Sequence, residues 1–291
     1  MPEKMNVKTL RTGFLAAIAI SASGLFPAKG ELPMLQERNW VGNFVGFENK
    51  NFQFSVATEG KAKIEVTGKK GATIGSKLAV PIDFVVQETM PDGKFVTKAI
   101  KPETLESAQG ATLKPSNIVI RGKTTGDAAF ECYLTEDRGV FSLGGKLLDS
   151  GTLTKNPLRF AIRVSFPDAY YSEKESPKEK VDERKAAEAF EQKISKDRVQ
   201  LKWTDGKSSR PSVADPVDAG SKEISGPGIA ALGVEFSSYQ EKKFLLLASE
   251  NSLMTLRNSD TKPLHAGFYV YWVADPAKDP EGKARLTIEV K

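Results

Sequence analysis

Residues 159–166 have the sequence RFAIRVSF, in which apolar and polar side chains alternate with the two-residue period of a β-strand. Successive side chains of a strand point to opposite faces of the sheet. Phe160 and Ile162 therefore fall on one face, and Arg159 and Arg163 fall on the other. The stretch predicts an antiparallel strand with one buried face and one face exposed to water.

The same period recurs in other runs that are separated by turn signals rich in Gly, Pro and Asp. The clearest runs are FQFSV (52–56), KAKIEV (61–66), PIDFVVQ (81–87) and RLTIEVK (285–291). Short strands at such spacing are typical of sandwiches and barrels. The sequence therefore predicts a mainly β protein built of antiparallel β-sandwich-type domains.

The β pattern predicts an N-terminal β domain over residues 31–170 and a C-terminal β domain over residues 199–291, although the two could share one larger sandwich. A loop rich in Ser, Pro, Gly and Asp is expected over residues 205–228. Residues 80–100 and 267–290 share an order of strand, turn and strand, which indicates either duplicated units or ordinary hairpins. The second of these hairpins resembles the closing strand pair of immunoglobulin-like sandwiches, a resemblance that concerns fold and not function.

One segment, residues 176–198, breaks the alternation and carries charge on every side of a thin apolar stripe. Ser176 and Glu179 form the capping box that commonly starts a helix. We predict one charged helix within residues 171–198 that connects the two β regions or packs lightly on a neighbour. A helix that binds a partner is the alternative.

The N-terminus carries an uncharged apolar run within GFLAAIAISASGLFPAKGE, residues 13–31, preceded by Lys8 and Arg11. A basic start, a short apolar middle and small residues before a cut are typical of a secretory signal. The run is shorter than the roughly 20 residues that a membrane anchor needs. We therefore expect residues 1–30 to be a signal peptide removed before Glu31, with an anchor or a core segment as alternatives. The expected location is extracytoplasmic, periplasmic or secreted, with no membrane span after removal.

Net charge argues against a nucleic-acid partner. The chain has 42 basic and 37 acidic residues, of which residues 1–30 hold four and one, so the remaining chain carries a net charge of +2. Its lysines and arginines alternate with acids and form no basic stripe. We therefore expect no nucleic-acid binding.

The counts of cysteine and histidine limit which metal sites and disulfides the chain can form. Cys132 and His265 are the only residues of their kinds, so the common zinc sites and an internal disulfide cannot form. Cys132 alternates with apolar neighbours and is expected to be buried, and His265 is expected in a loop or at a strand edge. The acidic loop at residues 275–282 favours turn formation over calcium binding. No nucleotide or dinucleotide motif is present, and we expect no cofactor.

Paired carboxylates remain a catalytic possibility. Asp83, Glu131 and Glu235 each interrupt an apolar strand and should face water. Two such acids across a cleft would support a glycan-directed hydrolase. The sequence does not say whether any two of them lie close together.

Aromatic side chains give the clearest binding signal. Tyr170 and Tyr171 end one strand, and Tyr269, Tyr271 and Trp272 lie in the apolar run FYVYWV. These five residues are the predicted ligand-binding set, and burial of a central strand on both faces is the alternative. The sequence thus favours an exported, non-catalytic binding protein with a protein or glycan partner, over the extracytoplasmic hydrolase.

Overall fold

A computed structural model describes residues 32–153, 155–171, 183–218, 224, 226–258 and 261–291, without the side chains of Glu183 and Ala186. The predicted signal peptide and the predicted capping box lie outside the described residues. Part of the loop predicted over residues 205–228 lies outside them too. The first two predictions are not tested by the structure, and the described part of the loop contains a two-residue strand at Ser208–Ser209.

In the described part of the chain, ten strands precede the helix. They are β1 (Asn43–Glu48), β2 (Phe52–Ala57), β3 (Ala62–Val66), β4 (Val80–Thr89), β5 (Phe95–Lys98), β6 (Ile100–Glu106), β7 (Ile118–Thr124), β8 (Ala129–Asp137), β9 (Val140–Asp149) and β10 (Leu158–Phe166). The helix and seven strands follow: α1 (Glu183–Ile194), β11 (Arg198–Trp203), β12 (Ser208–Ser209), β13 (Ile229–Glu235), β14 (Lys243–Ala248), β15 (Ser252–Asn258), β16 (Phe268–Ala274) and β17 (Leu286–Val290). Short 3-10 turns lie at Arg38–Trp40, Ser76–Leu78, Ser237–Tyr239 and Leu264–Ala266.

The described strands are hydrogen-bonded into a sheet of 17 strands whose ladders are antiparallel. Two ladders, β10 with β16 and β9 with β17, join strands from the two predicted β regions. The prediction of a mainly β, antiparallel protein with one charged helix is confirmed. The division into immunoglobulin-like sandwiches, and the domain boundaries, stay predictions.

Strand β10 lies at the centre of the sheet between β4 and β16. The apolar row that includes Phe160 and Ile162 is buried, whereas Arg159 and Arg163 on the opposite row are half-buried. Ala161 is an exception, because it lies on the second row and is also buried. The two-faced strand predicted from RFAIRVSF is therefore confirmed.

The sheet curls as a half-barrel, so that strands far apart in its order meet across one core. The ring of Phe54 on β2 stacks on that of Phe141 on β9, with centroids 4.1 Å apart. Phe166 on β10 meets Phe244 on β14 edge to face at 5.4 Å. Such aromatic pairs add to the stabilisation that burial of apolar area provides. The core therefore contains side chains from strands that precede the helix in sequence and from strands that follow it.

Helix α1 touches the rest of the protein through a narrow apolar contact. Ile194 is buried and Phe190 is half-buried, whereas the other described side chains of the helix are exposed. The ring of Phe190 lies 5.1 Å from that of Tyr170. This is the lightly packed helix that the charge pattern predicts. Among the described residues, no helix combines the length and apolar character needed to span a membrane.

Candidate functional site

Two of the five predicted ligand-binding side chains lie inside the protein. Trp272 has no exposed surface, because alternation along β16 places it with Phe268 and Val270 on the inward row. Tyr170 is only 1% exposed, and its hydroxyl donates a hydrogen bond to the carboxylate of Asp197 at 2.6 Å. Neither side chain can touch a ligand at the surface, so we leave both out of the candidate site.

The other three tyrosines have exposed surface. Tyr171 is 40% exposed, and the ammonium of Lys77 lies 4.2 Å from the centre of its ring. Tyr269 and Tyr271 lie together on the outward row of β16, where Tyr269 is 38% exposed and Tyr271 is half-buried. Arg163 joins these two, since it pairs with Tyr271 across the ladder and its guanidinium lies 5.7 Å from the ring centre of Tyr269. The structure thus brings two of the predicted residues into one outward face.

This face carries a groove of about 380 Å³ that crosses the strands β5, β4, β10, β16 and β15. We call it the arginine groove, and it is lined by Gln87, Asp92, Gly93, Lys94, Phe95, Thr97, Arg159, Thr255, Arg257 and Tyr271. The turn between β4 and β5 closes with hydrogen bonds from Met90 to Lys94 and from Gly93 to Met90. Gly93 supplies the left-handed backbone (φ 78°) that the turn requires. The turn brings Phe95 to the side of the groove.

Arg159 is held in the groove by two kinds of contact. Its Nε and Nη2 donate hydrogen bonds of 3.0 and 2.9 Å to the side-chain oxygen of Gln87, its cross-strand partner on β4. Its guanidinium carbon lies 3.8 Å from the centre of the Phe95 ring, a distance at which cation–π attraction is effective. Because Gln87 is itself buried, the guanidinium is held in a defined position.

A second arginine approaches the same ring. The guanidinium carbon of Arg257 on β15 lies 5.9 Å from the centre of Phe95. In the described part of the chain, no carboxylate lies within ion-pair distance of Arg159 or Arg257, whereas Arg163 on the same face is paired with Asp83 at 2.8 Å. Burial, and then the nearby charge of Arg257, lower the pKa of Arg159 below the ordinary value for arginine. An arginine stays charged in proteins, so the groove holds two positive charges that are not paired with an acid among the described residues.

A larger cavity, of about 990 Å³, lies elsewhere, between the loop at residues 68–74 and the end of β13. It is also lysine-rich, but its acids neutralise part of that charge: Lys69 is paired with Glu241 at 3.3 Å, and Lys243 is paired with Glu235. The arginine groove instead holds two guanidiniums beside one aromatic ring, and among the described residues neither has a carboxylate at ion-pair distance. We therefore take the groove as the candidate site.

The predicted catalytic carboxylates do not form a pair in the contacts of the described residues. Each one is bonded to a basic side chain on a neighbouring strand, in the pairs Asp83–Arg163, Glu131–Arg121 and Glu235–Lys243. Burial alone would raise the pKa of Glu131, but hydrogen bonds from Tyr133 and Arg121 outweigh it and hold that pKa below its usual value. No observation here favours the paired-carboxylate hydrolase.

Cys132 and His265 are both buried among other side chains of the protein. Cys132 is buried, as predicted, and burial raises the pKa of its thiol. His265 lies in the turn before β16, where it is 8% exposed and its ring contacts those of Tyr170 and Phe190. In the acidic loop, the carboxylate of Asp279 accepts hydrogen bonds from backbone N–H groups, which fits the turn interpretation. Among the described residues, no group of three or more His, Cys, Asp or Glu is placed to hold a metal.

Sequence reasoning missed Phe95, Arg159 and Arg257 as site residues. Each lies on a different strand, and only the pairing of those strands brings them together. The sequence signal that could have identified this site is the repeated occurrence of arginine at strand positions that face outward.

Comparison of the sequence with models of protein families and with curated proteins gives no match. The fold and the groove thus define a mainly antiparallel β protein with a cationic, aromatic surface groove.

Proposed function

We propose that this protein is an exported, non-catalytic binding protein of the cell envelope or exterior, and that it binds its ligand in the arginine groove. The observation that carries the proposal is the approach of Arg159 and Arg257 to one ring, with no carboxylate partner for either in the described part of the chain. Bringing like charges together is unfavourable, and an anionic group in the groove would relieve that repulsion. The export part rests on the N-terminal pattern of a basic start and a short apolar run.

The lining of the groove suits recognition rather than catalysis. It offers guanidinium, amide, hydroxyl and aromatic groups, which fix a ligand by hydrogen bonds and stacking. Its carboxylate, Asp92, is already engaged, because it accepts a hydrogen bond from the backbone N–H of Lys94 and pairs with the ammonium of Lys94 at 3.0 Å. The lining contains no histidine or cysteine that could act as a base or nucleophile.

We also propose that the strands are arranged as a β-sandwich. The ring contacts between β2 and β9, and between β10 and β14, support two facing layers around one core. A rigid layer of strands would hold the groove residues in fixed positions, as a binding site requires.

Binding of the purified protein to a panel of immobilised oligosaccharides and peptides, both acidic and neutral, tests the proposal. The wild type is expected to bind at least one ligand, and Arg257→Ala is expected to weaken that binding by at least about 10-fold, the loss of one good charged hydrogen bond. The side chain of Arg257 is exposed and donates no hydrogen bond to another described residue, so its replacement should not impair folding. Arg38→Ala, at another exposed arginine, is the matched control and should bind normally.

Two results would overturn the proposal. The site is wrong if Arg257→Ala binds as the wild type does, and the binding function is wrong if no ligand on the panel binds. N-terminal sequencing of the mature protein tests export separately. It should begin at or near Glu31, and an intact Met1 or Met5 would contradict export.

A further inference from the structure

We infer that the ligand of the arginine groove is an acidic oligosaccharide. Its carboxylate or sulfate group would bind between Arg159 and Arg257, while one sugar ring packs against Tyr271. This inference rests on the proposed function, and it adds the chemical class of the ligand.

The charged part of the ligand is indicated by the two guanidiniums. Arg159 uses two of its N–H groups on Gln87, and its other N–H groups have no hydrogen-bond partner among the described residues. Arg257 brings a second planar guanidinium to the same place, and arginine binds carboxylate and similar oxyanions through pairs of parallel hydrogen bonds. An oxyanion is the group that satisfies both side chains at once.

The uncharged part of the ligand is indicated by the rest of the lining. Thr97 and Thr255, whose side chains carry hydroxyl groups, line the groove, and Tyr271 adds a half-buried aromatic ring. Hydroxyl groups both donate and accept hydrogen bonds, which suits a ligand that carries many hydroxyls. The face of an aromatic ring is electronegative and attracts the polarised C–H groups on the flat side of a sugar. A volume of about 380 Å³ is at the small end of ligand sites, and is suited to one or two sugar units.

An acidic peptide fits the groove less well. A peptide bound as an added strand needs a long unpaired sheet edge, and the nearest edge, β5, has only four residues. Lys94 and Lys98 stand just before β5 and at its end. Short edges that carry lysine are those that resist the addition of a further strand.

Isothermal titration calorimetry with four probes tests the inference. The probes are an oligogalacturonate trisaccharide, a sulfated disaccharide, the carboxyl-reduced form of the trisaccharide, and triglutamate. At least one of the two acidic sugars is expected to bind 10-fold or more tightly than the reduced sugar and the peptide. Affinity should fall as salt is raised, since the contact is between charges.

Variants of Tyr271 separate stacking from simple charge attraction. Tyr271→Phe keeps the ring and should retain most of the affinity for the acidic sugar, whereas Tyr271→Ala should lose about 10-fold, the usual scale of a lost aromatic contact. Unchanged thermal unfolding and circular dichroism of both variants would show that folding is intact. Arg38→Ala again serves as the control that should leave binding unchanged.

The outcomes distinguish this inference from the proposed function. If the reduced sugar or triglutamate binds as well as the acidic sugars, and Arg257→Ala weakens that binding, the groove is a binding site but the inference about its ligand is wrong. If neither acidic sugar binds, the inference is wrong as well. If Arg257→Ala changes the binding of none of the panel ligands, the proposed function itself fails.

Discussion

Replacing Phe244 by alanine is expected to lower the free energy of unfolding by about 3–5 kcal/mol, the range for large-to-small changes of a buried phenylalanine. Phe244 on β14 is fully buried. Its ring meets that of Phe166 on β10 at 5.4 Å and that of Tyr239 at 5.1 Å. Its loss would open a cavity between strands that come from opposite sides of the helix in sequence.

Denaturant titration followed by circular dichroism and tryptophan fluorescence measures this effect. Both signals should move in a single transition, for the wild type and for the variant. Leu247→Ala is the matched control: the residue lies on the same strand, is 38% exposed, and should cost less than about 1 kcal/mol. A loss below about 1 kcal/mol for Phe244→Ala, or two separate transitions, would show that this core is not shared.

Replacing Asp197 by alanine is expected to cost about 3 kcal/mol or more, since each buried donor left without a partner costs about 1–3 kcal/mol. Asp197 lies just after α1 and is only 3% exposed. Its carboxylate accepts hydrogen bonds from the Tyr170 hydroxyl at 2.6 Å, the Ser237 backbone N–H at 2.7 Å and the Ser237 hydroxyl at 2.8 Å. The carboxylate thus ties the end of the helix to two other parts of the chain.

Tyr170→Phe is the control for this prediction. It removes one hydrogen bond and keeps the ring against Phe190, so it should cost about 1 kcal/mol. Urea titration of the two variants beside the wild type gives both values. Equal costs for the two variants, or a negligible cost for Asp197→Ala, would mean that the carboxylate does not organise this junction.

The inward rows of the strands could be predicted from sequence because alternation is a local property. It placed Phe160 and Ile162 on the buried face of β10, and it placed Cys132 in the core. The charged helix was recognisable for a similar reason, since its composition differs from that of every neighbouring segment. In the part of the chain that the structure describes, these elements form where the pattern predicts them.

Which of two faces is buried could not be predicted where both are apolar. In FYVYWV, alternation separates Tyr271 from Trp272 but does not say which of the two meets the core. The decision depends on the neighbours of β16 in the sheet, which are β10 and β15. The predicted site therefore combines the exposed tyrosines of this strand with a buried tryptophan.

The groove depends on contacts between distant parts of the sequence. Phe95, Arg159 and Arg257 come together because β4 and β10 lie between β5 and β16, and β15 follows β16. Strand order of this kind is set by the packing of the whole core and leaves no local signature. The sequence could supply the residue types of the site, and only the fold could assemble them.

That β10 and β16 are neighbours in one sheet is the claim on which the groove depends. Native-state hydrogen exchange measures it most directly, because amides inside a shared ladder exchange only when the whole unit opens. We predict that the slowest amides of β10 and β16 exchange with the same free energy, equal to that of global unfolding, and that Phe244→Ala lowers both by the same amount. Rapid exchange in β16 while β10 stays protected, or a change in one strand alone, would contradict the shared sheet.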